Sequence, residues 1–122
     1  MKNVLILDDD AAFVQTLTAA LDASLYTTVS AGDGAEGLEK MKTFNPDIIL
    51  LDIKMPNMDG MEFLKKVNER YGMGKTPVVI TSNLSSLEHI SEGMALGIRG
   101  YVVKSDESLQ NIVSIIEKEL NK

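Results

Sequence analysis

Four short apolar runs punctuate the chain, and each stops at a polar residue. Val4-Leu5-Ile6-Leu7 meets Asp8-Asp9-Asp10, Ile48-Ile49-Leu50-Leu51 meets Asp52, Val78-Val79-Ile80 meets Thr81, and Tyr101-Val102-Val103 meets Lys104. Runs this short, rich in branched side chains and unbroken by alternation, predict strands buried on both faces, as in a parallel sheet. A further short strand, second along the chain, is expected from Leu25 to Ser30, where Tyr26 and Val29 carry the signal.

Between the strands the apolar period lengthens to that of a helix. Phe13, Leu17, Ala20 and Leu21 mark the inner face of a first helix. Ala35 to Phe44, with Leu38 and Met41 inward, predicts a second, ended by Asn45-Pro46-Asp47. A third is expected over Met61 to Tyr71, with Phe63, Leu64 and Val67 facing the core. Ser85 and Glu88 have capping-box spacing before Ile90 and Met94, which predicts a fourth. Gly97 and Gly100 then mark the turn into the last strand, and Leu109, Ile112, Val113, Ile116 and Leu120 stripe a closing helix. Strands alternating with helices predict an α/β domain with right-handed crossovers.

Composition narrows the class. The chain has 122 residues, enough for one domain with a sizeable core. It has no cysteine, which excludes disulfides and thiolate metal sites. The formal net charge of −6 argues against direct nucleic-acid binding, which needs a basic footprint. No apolar stretch has membrane-spanning length and no leader precedes the first strand, so a cytoplasmic location without membrane insertion is expected.

In open α/β sheets, ligands bind beyond the carboxyl ends of the strands. That rule gathers Asp8, Asp9, Asp52, Thr81 and Lys104 around one crevice. Acids suit a hard cation, and a hydroxyl with an ammonium suits an anion, so the set points to phosphoryl transfer. Each residue also has a plainer role. Asp52 can cap a loop, and Asp8 and Asp9 can belong to a helix cap, for which Asp10 is the best candidate. Lys104 can be a surface lysine, Thr81 a β-branched strand residue and Tyr101 a core aromatic. His89, the one histidine, is expected on a solvated helix face, and the seven methionines as packing residues.

The sequences Leu7-Asp8-Asp9, Leu51-Asp52 followed by Met55-Pro56-Asn57-Met58-Asp59-Gly60, Ile80-Thr81-Ser82 and Gly100-Tyr101-Val102-Val103-Lys104 occur in this order. With them the whole chain resembles the receiver domain of two-component response regulators. The resemblance implies a flavodoxin-like (βα)5 doubly wound parallel sheet, strand order 2-1-3-4-5, in three α/β/α layers. It implies a single receiver domain over residues 1–122, standing alone without an effector domain. Asp52 would accept a phosphoryl group from a sensor histidine kinase or a histidine phosphotransfer protein. Mg2+ would be held by Asp8, Asp9, Asp52 and the backbone carbonyl of Lys54. Lys104 would pair with Asp52 and then with phosphoryl oxygens, while Thr81 and Tyr101 would form the switch read by a downstream output protein. Such a chain turns over no external substrate.

One departure stands out. The family usually has a cis proline after the lysine, and here Ser105 follows Lys104. That bond is then either trans or cis at a cost of about 3 kcal/mol, and Ser105 or Asp106 is free to cap the last helix. A rival from the enzyme class is a haloacid-dehalogenase-like phosphohydrolase, with Asp8 as nucleophile and Asp10 as its partner. Against it, the chain lacks the late acidic pair and the cap insertion usual in such enzymes.

Overall fold

The chain winds outward in one direction and then doubles back across its own first strand. The structure, a computed structural model, describes residues 1–72, 76–82, 97–105 and 107–121. Strand β1 (Lys2–Leu7) leads to helix α1 (Ala11–Ala20), strand β2 (Tyr26–Ala31) to α2 (Gly34–Met41), and β3 (Ile48–Leu51) to α3 (Gly60–Tyr71). Strands β4 (Val78–Ser82) and β5 (Gly100–Val103) follow, then helix α4 (Leu109–Leu120). All pairings are parallel and the order is β2-β1-β3-β4-β5, as expected. The helix expected from Ser85 through Met94 lies outside the described residues.

Alternation across the sheet divides the core in two. Leu5, Leu7, Ile49, Leu51 and Ile80 face Leu38 of α2 and Phe63, Leu64 and Val67 of α3. Val4, Ile6, Ile48, Leu50 and Val79 face Leu17 of α1 and Ile112 and Ile116 of α4. Helix α2 lies so close to the sheet that a Cβ on Gly37 would sit 2.5 Å from Leu7 Cδ2.

Several boundaries move. Strand β2 starts one residue later than expected: Leu25 is exposed, and its carbonyl accepts from the Lys2 N–H ahead of the ladder. Helix α2 stops at Met41 rather than Phe44, because its last turn tightens into Lys42 N–H to Glu39 O at 3.2 Å. Met41 and Phe44 still pack inward. Ala20 is exposed, since it sits at the margin of an α1 stripe centred on Phe13, Val14, Leu17 and Leu21. Asp10 caps α1 as expected, accepting from the Phe13 N–H. Helix α4 is capped instead by Ser108, so Ser105 is too early in the chain for that role.

Candidate functional site

The doubling back places the ends of β1 and β3 side by side at the point where the crossovers diverge, which is where such sheets hold ligands. The Asp52 N–H donates to Leu7 O at 2.9 Å and the Asp8 N–H to Ala31 O at 3.0 Å, so both acids are pinned by the continuing ladders. Asp8 and Asp52 are buried and Asp9 is exposed. Each of the three offers a carboxylate oxygen, and these oxygens lie within 4.8 Å of one another.

Lys104 reaches this cluster from the end of β5, with its backbone N–H anchored on Ser82 O at 2.7 Å. Its Nζ donates to Asp8 Oδ2 and, at 3.5 Å, to Asp52 Oδ2. The expected pairing with Asp52 is therefore the longer of two, and Asp8 is the nearer partner. Asp8 uses its other oxygen to accept from the Asp10 N–H at 2.9 Å. The Phe13 ring closes the remaining side of the ammonium, its centroid 4.4 Å from Nζ.

Burial pushes the Asp52 carboxyl from its ordinary 3.8 up to about 6, and the Asp8 charge adds to the rise; Lys104 opposes it. At neutral pH Asp52 remains mostly ionised. Three carboxylates against one ammonium then leave two negative charges without a partner. An all-oxygen donor set with that surplus, open to solvent at Asp9, matches a hard divalent cation such as Mg2+.

Thr81 is buried at the end of β4, between the strands that carry Asp52 and Lys104. Tyr101 is half-buried on the neighbouring β5 and packs against the core layer of α2 and α3. Lys54 is exposed and lines, with Asp9, Ile53, Met55, Pro56 and Asp59, an open cleft of about 530 Å3. Backbone contacts shape the loop that carries it. The Gly60 N–H donates to Ile53 O at 2.8 Å, and a Cβ on Gly60 would lie 2.2 Å from the Asp52 carbonyl oxygen. Asn57 adopts a left-handed φ of 66° and donates to Asp33 Oδ2 at 2.8 Å. No cis peptide bond occurs among the described residues, so the Lys104–Ser105 bond is trans.

Of the residues expected at the crevice, the structure brings together Asp8, Asp9, Asp52 and Lys104 and places Thr81 on the strand between β3 and β5. The Phe13 ring beside the Lys104 ammonium was not expected, because periodicity marks an inward aromatic without telling what it covers.

The family model for the response regulator receiver domain matches residues 4–117. The chain is 35% identical to a protein-glutamate methylesterase/protein-glutamine glutaminase of Koribacter versatilis, over 93% of this chain and 33% of that protein. It is 31% identical to the cell cycle response regulator CtrA of Brucella ovis, over 95% of this chain and 50% of that protein. The chain therefore spans a half or less of the length of these curated relatives. Among solved structures it resembles a CheY-like receiver domain protein of Methanospirillum hungatei, with TM-score 0.88, 28% identity, and 99% and 94% of the two chains covered. Nothing in these comparisons supports the haloacid-dehalogenase-like alternative.

Proposed function

The chain belongs to the response regulator receiver domain family, a family of phosphorylation-controlled signalling proteins, and from that premise we propose that Asp52 is its phosphoryl acceptor. The observation that carries this reading is the meeting of Asp8, Asp9, Asp52 and a buried Lys104 at the carboxyl ends of three strands. The donor is a phosphohistidine on a sensor histidine kinase or on a histidine phosphotransfer protein. An Asp52 carboxylate oxygen attacks phosphorus, the phosphorus–nitrogen bond breaks, and the imidazole departs with the electron pair.

Each residue has a task in that step. Asp8, Asp9, Asp52 and the Lys54 carbonyl would hold Mg2+, which when bound supplies neutralising charge to the phosphoryl oxygens. Lys104 shifts its ammonium from Asp8 towards the oxygens arriving on Asp52. The Thr81 hydroxyl turns to the same group, and Tyr101 follows inward, changing the β5 surface that a downstream output protein reads. The chain works as a switch or as a phosphate carrier in the cytoplasm, and it turns over no external substrate.

Incubation with Mg2+ and acetyl phosphate, followed by intact-mass spectrometry, tests this. One added phosphoryl group is expected, lost in Asp52→Asn and in the presence of chelator. Labelling that survives Asp52→Asn and disappears in Asp8→Asn would overturn the assignment.

A further inference from the structure

Lys104 is enclosed on three sides, and ionic partners account for only two of them. Its side chain is 8% exposed. An ammonium has three N–H bonds and no lone pair, so burial leaves each N–H in need of a partner. Asp8 and Asp52 accept from two directions, the second at 3.5 Å. The third side faces the Phe13 ring at 4.4 Å from its centroid, within the range of attraction between a cation and a π face.

The placement of that ring follows from the fold. Phe13 is the third residue of α1, which begins just beyond the acids at the end of β1. Helical side chains lean towards the helix N-terminus. An aromatic in the first turn of α1 therefore leans back towards the crevice while still packing on the edge of the layer it shares with Leu17.

We infer that Phe13 is a positioning residue for phosphoryl transfer, its π face holding the Lys104 ammonium where it can pass from Asp8 to the group arriving on Asp52. This rests on Asp52 being the acceptor. The contact with Asp8 is close and that with Asp52 long, so the ammonium must move when Asp52 is modified. A carbonyl in the place of the ring would hold the ammonium to one oxygen within a narrow range of distance and donor angle, and so tether it. The ring attracts over its whole face, so the ammonium keeps a third partner throughout the movement. An aliphatic residue of similar size fills the volume and supplies no acceptor, leaving a buried N–H to water or to a tighter pairing with Asp8.

Site-specific replacement of Phe13 by phenylalanines with successively more ring fluorines tests this, because fluorination drains the π face and nearly preserves shape. The first readout is the rate of Asp52 labelling by acetyl phosphate with Mg2+. The rate is expected to fall stepwise along the series, by roughly three- to tenfold in total. Phe13→Leu should match the slow end of the series and Phe13→Tyr should recover most of the loss. Equal rates across the series overturn the proposal, since a packing role would not respond to ring charge. The second readout uses neither donor nor metal. The Lys104 ε-methylene protons should be shifted upfield by the ring in the wild type, and that shift should vanish in Phe13→Leu. An unchanged shift overturns the contact. A wild type that takes no label on Asp52 overturns the acceptor assignment instead, and the Lys104 shift still decides the contact.

Discussion

Replacing the Asp52 carboxylate should make the metal-free protein more stable. Asp52 is buried beside Asp8 and near Asp9, and its carboxyl rises from 3.8 to about 6. At 1.36 kcal/mol per pKa unit, that displacement corresponds to a cost of roughly 3 kcal/mol for the ionised form. Water at the open edge of the acidic crevice discounts this to about 1–2 kcal/mol. Asparagine has nearly the same shape, removes the charge and keeps an oxygen towards Lys104, which retains Asp8 as its counter-ion. Asp52→Asn should therefore gain about 1–2 kcal/mol at pH 7 with chelator present, which is roughly 3–8 °C in Tm for a domain of this size. The pH dependence follows from the direction of the displacement. A raised carboxyl binds its proton more tightly in the folded state than in the unfolded one, so the cost is complete above about pH 6. It fades as pH falls through 6 and is gone below 3.8. Urea denaturation of both proteins at pH 7 and near pH 4 should show the gap closing. Magnesium at ten times its dissociation constant should return about 1.4 kcal/mol to the wild type, and less to the variant, which lacks one of the three clustered carboxylates. A variant that is less stable than the wild type at pH 7, or a gap that ignores pH, would refute the reasoning.

Two further outcomes are expected. Gly60→Ala should cost upwards of about 2 kcal/mol and slow labelling of Asp52, because its Cβ would press on the Asp52 carbonyl oxygen at 2.2 Å and neither backbone can yield cheaply; chemical denaturation and intact mass measure both. Lys54→Ala should shorten the life of the phosphorylated state, because the exposed ammonium beside the acidic cleft can fold over the phosphoryl oxygens and obstruct an attacking water; the first-order decay of labelled protein reads it, and an unchanged or slower decay removes Lys54 from that role.

Local stretches of the chain encode its elements and the kinds of residue at their ends. Buried runs such as Ile48–Leu51, the helical stripe around Leu17 and the Asp10 cap are encoded within a few residues of one another, so their periodicity and chemistry are visible along the chain. The motif order added the family, and through it the strand order. Tertiary structure decided the rest, beginning with which end of each element meets which. Lys104 bonds to Asp8 across 96 positions and to Asp52 across 52, and only the docking of β5 beyond β4 sets the two distances apart. The rise of the Asp52 carboxyl depends on burial and on neighbours from two other strands. The shift of the last cap to Ser108 reflects where the chain leaves Lys104 before α4 can begin. Phe13 shows the division most clearly. Local spacing marks its side chain as inward-facing, but the lysine beneath its ring arrives from the far end of the chain. Interactions between distant segments carry no period along the sequence, and they come into being only when the crossovers close the sheet.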